Sequence, residues 1–175
     1  MLQVTGIDFG ASGTRKVTLG LLGGAPQVGE ALGGPKVAAV ASDVLTYRRV
    51  PLPKASKAVC RRVIQEELAY SLPFPLHQVC WDYVGQSGQA ALVMVTPNER
   101  LGNYQRMAGT ATLDAEPLAY LRAARYCGVH NALLIDFGAS KTTFCCIMAG
   151  QLEWVRVLLR GGRQLTQSVA TDNQL

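Results

Sequence analysis

The sequence predicts an α/β protein that contains a duplicated unit. The six residues Ile-Asp-Phe-Gly-Ala-Ser occupy positions 7–12 and return at positions 135–140. Each copy follows a short apolar run and precedes a second one, the pattern of two strands joined by a tight turn. A segment with helical periodicity lies between the copies, at 56–70. The repeat of all six letters between strands favours a duplicated structural unit over two unrelated turns.

The turn of each copy has the chemistry of a phosphate site. Gly10 and Gly138 permit backbone angles that other residues resist, and consecutive N–H groups in such a turn form a concavity that suits a phosphate. Asp8 and Asp136, at the strand ends, are placed to face that phosphate through Mg²⁺, which prefers carboxylate, water and phosphate oxygens. A single Asp-X-Gly turn is usually only a structural hairpin. Two copies facing each other would clamp one polyphosphate.

The remaining elements follow in chain order. Glycine and proline at 23–35 predict a loop with at most one helical turn, near Val28–Leu32. Apolar residues at three- and four-residue steps predict an amphipathic helix at 56–70, which Pro73 and Pro75 stop. We expect further strands at 36–41, 44–50, 79–84, 89–96, 132–135, 142–147 and 151–159, and further helices at 99–108, 114–128 and 162–169.

Composition excludes several classes of protein. The net charge of +5 comes from dispersed basic residues, so we expect no nucleic-acid partner. No apolar run is long enough to cross a bilayer, and the N-terminus lacks the pattern of a signal peptide. We therefore expect a cytoplasmic protein. Five cysteines without metal-ligand spacing are expected to be reduced: Cys60, Cys80, Cys127, Cys145 and Cys146.

Four segments resemble known families. Residues 8–16 resemble the first phosphate loop of the actin, Hsp70 and sugar kinase superfamily, and residues 136–143 resemble the second. Gly-Gly-Arg-Gln-Leu-Thr at 161–166 is similar to the segment that opens the next helix in the FtsA and PilM branch. Ser-Leu-Pro-Phe-Pro-Leu at 71–76, followed by Asp82 and Tyr83, resembles PilM, the actin-like component of type IV pilus machines. The cytoplasmic domain of type II secretion GspL proteins is a near neighbour.

The resemblance implies an actin-like (ribonuclease H-type) fold with an inserted FtsA/PilM-type 1C subdomain and a truncated second half. Residues 1–35 and 109–130 would form a shortened first subdomain, 1A. Residues 36–108 would form the inserted subdomain, and 131–175 the start of the second half, 2A. In the family, further residues complete that half and the adenosine pocket. We expect either a fragment of a longer protein, which the polar tail at 171–175 favours, or a natural short form.

The resemblance also implies the ligands, ATP and Mg²⁺, with binding weak or lost in so short a chain. Asp8 and Asp136 would lie at the metal. Arg15 stands where relatives often carry a phosphate-binding lysine, and Lys141 is either a phosphate ligand or an exposed turn lysine. The residues that we expect at the phosphates are Gly10, Ser12, Gly13, Thr14 and Arg15 in the first loop and Gly138, Ser140, Lys141 and Thr142 in the second.

A PilM-like protein would be a scaffold at the cytoplasmic side of the inner membrane, in a type IV pilus or type II secretion assembly. Its expected partners are the N-terminal peptide of a PilN-like membrane protein and other assembly proteins. The peptide groove would have walls formed by strands 36–50 and helix 56–70. The alternatives are a GspL-like binding module without nucleotide and a small-molecule kinase or phosphatase of the same superfamily. No residue is placed to orient a water, so we expect nucleotide binding rather than catalysis, or at most a weak ATPase.

Overall fold

The computed structural model describes residues 3–20, 24–29, 34–85 and 88–173. Residues 86 and 87, between the strands expected at 79–84 and 89–96, and the last two residues of the tail lie outside these ranges. The strands are β1 (Gln3–Gly10), β2 (Gly13–Gly20), β3 (Gln27–Val28), β4 (Lys36–Val40), β5 (Thr46–Pro51), β6 (Val79–Val84), β7 (Ala90–Pro97), β8 (Thr112–Ala115), β9 (Ala132–Phe137), β10 (Thr142–Met148) and β11 (Gln151–Leu158). The helices are α1 (Lys57–Ser71), α2 (Asn98–Ala108), α3 (Glu116–Tyr126), α4 (Gly162–Asp172) and two short 3-10 helices, Ser42–Val44 and Leu76–Gln78.

The first sheet has five strands in the order β3-β2-β1-β4-β8. The β1–β2 hairpin is antiparallel, whereas β4 and β8 run parallel to β1. Ile7, Ala38 and Ala108 form its buried core, with Phe9 packed against them. The parallel pairs require long crossover connections, and the connection from β4 to β8 contains the whole of the second sheet.

The second sheet, which we call the inserted sheet, is antiparallel with the order β5-β7-β6. The apolar face of α1 packs on it through Cys60, Ile64 and Leu68, as the helical periodicity predicts. Ser56 caps this helix because its hydroxyl accepts a hydrogen bond from the Val59 N–H. Strand β7 lies between two partners and is buried along most of its length, which fixes the register of the insert.

The third sheet, which we call the second-half sheet, is antiparallel with the order β11-β10-β9. Leu121 of α3 packs against Cys145, Leu152 and Val155 of this sheet, and Leu92 of the inserted sheet belongs to the same core. Helix α3 also contacts β4 and β8 of the first sheet, so the three sheets are joined through α3 and β7. No helix within the described ranges is both long and apolar enough to cross a membrane.

Three details differ from the sequence expectations. Strand β4 pairs with β1 and β8, so hydrogen bonding places residues 36–40 in the first sheet, although the predicted insert began at 36. Strand β8 occupies the expected start of a helix at 114–128, because four residues at a sheet edge have no periodicity to read. Gln27 and Val28 form a strand against β2. The rest of the expected helical turn, 30–32, lies outside the described residues. The other domain boundaries stay predictions.

Candidate functional site

The turns of the two repeats face one cleft of about 510 Å³. The first repeat contributes Asp8 to Ser12 together with Arg15, and the second contributes Asp136 to Lys141. Asp43, Tyr104, Glu116 and Gly162 complete most of the wall. The sequence prediction that the two hairpins lie close together thus corresponds to a real cavity between them.

The first hairpin is a tight, exposed turn. Gly10 pairs with Gly13 at its end, and only Ala11 and Ser12 lie between them. Gly13 has a φ of +132°, which side chains rarely tolerate. Asp8 lies directly opposite Arg15 in the β1–β2 register, so both side chains are on the same face of the sheet. The guanidinium is therefore placed to balance that carboxylate.

The second hairpin packs against the start of α4. The Gly138 N–H donates to the Lys141 carbonyl at 2.9 Å, which closes the turn. The N–H groups of Gly162 and Arg163 donate to the carbonyls of Gly138 and Ala139, each at 2.9 Å. A Cβ at Gly161 would lie 2.3 Å from the Gly138 carbonyl oxygen, so only glycine permits this approach. The first N–H groups of α4 consequently serve the turn.

One arginine connects the two hairpins. The Arg163 Nη2 donates to the carbonyl of Ala11 at 2.6 Å, across 152 residues of sequence. This contact spans from the first turn of α4 to the exposed loop of the first hairpin. It holds the two loops on opposite sides of the same cleft.

Lys141 lies between two carboxylates. Its Nζ is 3.0 Å from Asp43 Oδ1 and 2.8 Å from Glu116 Oε2, and its side chain is only 14% exposed. Glu116 Oε2 also accepts a hydrogen bond from the Ser42 N–H at 2.7 Å. Burial acts to lower the pKa of Lys141, but its hydrogen bonds and charge interactions with Glu116 and Asp43 raise that pKa above the usual value. Lys141 is therefore a fully charged cation at neutral pH.

Asp136 is oriented by α3. The Tyr120 hydroxyl donates to Asp136 Oδ2 at 2.7 Å. Burial, the nearby Glu116 charge and this hydrogen bond raise the pKa of Tyr120 well above its usual value, so the hydroxyl stays a donor. The carboxylate of the second repeat thus has a fixed orientation.

The ionised form of Asp8 is disfavoured by its surroundings. Burial and the Glu116 carboxylate raise the pKa of Asp8, as does Asp136, while Lys141 and Arg15 lower it by a smaller amount. A bound cation would relieve this repulsion. Among the described residues, no three His, Cys, Asp or Glu side chains are grouped to hold a metal ion. A site at Asp8 and Asp136 would therefore need phosphate and water oxygens, a ligand set that suits Mg²⁺.

Eight of the eleven predicted site residues line the cleft: Asp8, Gly10, Ser12, Arg15, Asp136, Gly138, Ser140 and Lys141. Gly13, Thr14 and Thr142 lie outside its lining. The Thr142 hydroxyl instead donates to the Arg160 carbonyl at 2.7 Å and is buried, because that side chain belongs to the packed strand β10. Whether the lining residues bind a nucleotide stays a prediction.

Sequence reasoning missed Glu116 and Tyr120. Glu116 opens α3, and an acidic residue in a first helical turn is so common that it gave no signal. Tyr120 follows one turn later on the same face. Only the two residues together offered a signal. They are polar, they lie one helical turn apart, and their helix precedes the second repeat.

A separate groove of about 910 Å³ lies between α1 and the β6–β7 hairpin on one side and α3 and β11 on the other. Its apolar surface comes from Leu52, Leu118, Leu121 and Leu152, and its charged lining from Lys57, Arg61, Arg122, Arg125, Asp82 and Glu153. Helix α1, which covers most of the expected wall at 56–70, lines this groove through Lys57, Cys60 and Arg61. Residues 36–50 do not line it, because β4 lies in the first sheet and the lining begins at Leu52. Whether this groove is the expected peptide site stays a prediction.

Comparison with known proteins agrees with the actin-like fold. The chain is similar to a solved chain of a PilM–PilN type IV pilus biogenesis complex, with a TM-score of 0.73 and 21% identity over 98% of this chain. It spans 66% of the length of that chain. It is also similar to the cytoplasmic domain of EpsL, an inner-membrane component of the type II secretion system of Vibrio cholerae, with a TM-score of 0.55 and 10% identity. This alignment covers 96% of this chain and 74% of the EpsL domain.

No protein-family model matches the sequence, and no curated protein matches it significantly. At these identities, the structural likeness shows the fold. The protein has a mixed α/β actin-like fold, as the resemblance implied. The partners of the PilM and EpsL proteins are those proteins' own, and the likeness in fold does not by itself assign them to this chain.

Proposed function

We propose that this protein is a nucleotide-responsive scaffold of a type IV pilus or type II secretion assembly, acting at the cytoplasmic side of the inner membrane. One observation carries the proposal: the two identical turns face a single cleft that places two aspartates, Asp8 and Asp136, beside basic groups. The likeness to PilM and EpsL supports the assembly in which such a scaffold would act.

The cleft would hold the phosphates of ATP. The backbone of the two turns would contact phosphate oxygens, Arg15 and Lys141 would neutralise them, and Asp8 and Asp136 would hold Mg²⁺ through water and phosphate. Four carboxylates line the cleft against these two cations, so the metal supplies positive charge that a polyphosphate needs there. The raised pKa of Asp8 supports this requirement.

Nucleotide binding would dominate over turnover. Phosphoryl transfer needs a group that orients a water in line with the leaving oxygen. The cleft carboxylate Glu116 already accepts hydrogen bonds from Lys141 and from the Ser42 N–H. A weak ATPase is the most that this arrangement supports.

The groove between α1 and α3 would bind the N-terminal peptide of a PilN-like membrane protein. It combines an apolar floor with charged walls, which suits an extended or helical segment. Leu121 and Leu152 belong both to this floor and to the core of the second-half sheet. The peptide would therefore contact the framework that also carries Asp136.

A second candidate is a GspL-like binding module without nucleotide. It is favoured by the fact that several donors around the second hairpin are already engaged. Lys141 binds two carboxylates, and the first N–H groups of α4 bind the turn carbonyls. Such a protein would keep the peptide groove and lose the phosphate site.

Calorimetric titration with ATP and MgCl₂ tests the nucleotide proposal. We expect binding by the parent protein and none by Asp8→Ala or Asp136→Ala. Binding that persists in both variants would contradict the two-turn clamp. Absence of binding to the parent would favour the second candidate.

The peptide proposal needs its own test. Fluorescence anisotropy with a labelled N-terminal peptide of PilN should show saturable binding. Leu118→Glu, which places a carboxylate on the groove floor, should abolish that binding. Tyr70→Glu is the matched control, since Tyr70 is 92% exposed and lies outside the groove lining. Equal loss in both variants would contradict binding at the groove.

A further inference from the structure

Lys141 connects the cleft to the start of the inserted sheet. Its partner Asp43 belongs to the 3-10 helix Ser42–Val44, which lies between β4 of the first sheet and β5 of the inserted sheet. Its other partner, Glu116, is the first residue of α3. One side chain of the second repeat thus bridges segments that are 98 and 25 residues distant in sequence.

The two carboxylates hold Lys141 unequally. The Glu116 side chain is 10% exposed and has a second donor in the Ser42 N–H. The Asp43 side chain is 36% exposed, and within the described residues Lys141 is the donor that the structure records for it. Water can replace the ammonium at Asp43 at small cost, whereas Glu116 would lose a partly buried charge pair. The contact with Asp43 is the one that yields first.

A phosphate in the cleft would compete for the same ammonium. Lys141 lines the cleft beside Ser140 and Gly138, where the phosphate is proposed to lie. A lysine has three donor hydrogens, so Nζ can keep Glu116 and exchange Asp43 for a phosphate oxygen. A polyphosphate carries more negative charge than one carboxylate and is the stronger partner.

From these contacts we propose that Lys141 is a switch, held by Asp43 when the cleft is empty and transferred to a nucleotide phosphate when it is filled. This inference rests on the nucleotide binding proposed above. Release of Asp43 loosens the 3-10 helix Ser42–Val44 at the start of the inserted sheet.

The released segment leads by direct contacts to the peptide groove. The Tyr47 hydroxyl donates to the Ser42 carbonyl at 3.3 Å. The Tyr47 ring packs against the core that contains Leu121 and Leu152, and both of these leucines line the groove. The switch would therefore couple the nucleotide to the affinity for peptide, and by linkage the peptide would change the affinity for nucleotide by the same factor.

A double-mutant cycle on ATP–Mg²⁺ affinity isolates the Asp43–Lys141 pair. Asp43→Asn removes the competing charge and keeps the side-chain shape, so affinity should rise about fivefold. In the Lys141→Met background, the same substitution should have little effect. An equal rise in both backgrounds would show a general charge effect in the cleft and would overturn the switch.

Hydrogen exchange supplies the second readout. The N–H groups of Val44 and Leu45 donate to Ala41 and Ser42 carbonyls within the 3-10 helix. ATP–Mg²⁺ should speed their exchange in the parent, and Asp43→Asn should do so without ligand, while amides of β7 stay unchanged. A parent that binds ATP with unchanged exchange would overturn the switch and leave the proposed function standing. A parent that binds no ATP would overturn the proposed function itself, and the switch with it.

Discussion

The two copies of Ile-Asp-Phe-Gly-Ala-Ser have the same letters and opposite environments. In the first copy Ile7 is buried and the turn, Gly10 to Ser12, is exposed. In the second copy Ile135 is 55% exposed and the turn, Gly138 to Ser140, is half-buried. The burial of the repeat is therefore inverted between the two halves of the molecule.

The neighbours of each strand explain this inversion. Strand β1 lies between β2 and β4, and the α2 residue Ala108 packs into the core that contains Ile7. Strand β9 has one hydrogen-bonded neighbour among the described residues, β10, and the face that carries Ile135 and Phe137 is exposed. Helix α4 instead covers the second turn.

The two copies share their local backbone geometry, but the elements that surround them differ. Both copies form a strand, a tight turn and a strand, because glycine and alternating apolar residues determine this locally. Exposure, hydrogen-bond partners and charge balance come from elements distant in sequence. The second turn is consequently more rigidly supported than the first.

The largest expected effect is at the start of α4, where substitutions of two adjacent glycines, Gly161 and Gly162, should differ in their cost. Gly161→Ala places a Cβ 2.3 Å from the Gly138 carbonyl oxygen. The atoms that it meets belong to the backbone of Gly138 and Ala139, so no flexible side chain can move away to make room. We expect a loss of about 3 kcal/mol in the free energy of unfolding, measured by urea denaturation. Gly162→Ala is the control, because its Cβ would meet Phe137 Cε1 at an ordinary 3.8 Å. Its effect should stay within about 1 kcal/mol. Equal losses would show that the turn can move away from α4.

A smaller effect tests the support of the second turn by α3. Glu116→Ala leaves the Ser42 N–H without its carboxylate and Lys141 with one partner instead of two. We expect a loss of about 2 kcal/mol by urea denaturation, since the side chain is nearly buried. Glu66→Ala removes an exposed pair with Arg62 on α1 and should cost less than about 0.5 kcal/mol. A comparable cost at both positions would contradict a special role for Glu116.

The smallest effect has opposite signs in the two copies. Asp136→Asn weakens the hydrogen bond from Tyr120, so the protein should lose about 1 kcal/mol of stability. Asp8→Asn should raise the thermal midpoint, because burial and Glu116 make the ionised Asp8 unfavourable in the folded protein. A raised folded pKa means that this penalty is full at neutral pH and disappears as the pH falls towards the unfolded value of 3.8. The gain from Asp8→Asn should therefore shrink in acid, which scanning calorimetry at several pH values can measure. The same sign for both variants would contradict the inequivalence of the two aspartates.

Local pattern determined most of the elements. The second hairpin, the amphipathic helix α1 and the β6 and β7 strands lie within one or two residues of their predicted positions, and the first hairpin has the predicted order of strand, turn and strand. These features depend on neighbours a few residues apart, namely the glycines of turns, Ser56 at a helix start and apolar residues at regular steps. The repeat itself indicated that the two turns belong to one cleft.

The tertiary structure alone decided which residues complete that cleft. Lys141 meets Asp43 across 98 residues, and Ser42 meets Glu116 across 74. Local periodicity does not predict either pair, because the type of a charged residue does not show whether its side chain will be exposed or buried. The pairing of β4 with β1 is likewise a long-range contact that residues 36–40 do not announce. The sequence by itself determined two strand–turn–strand units whose pattern predicts a phosphate site. Packing decided that Lys141 lies between two carboxylates and that Asp136 has a tyrosine donor. It also decided that burial and Glu116 raise the pKa of Asp8 more than Lys141 and Arg15 lower it.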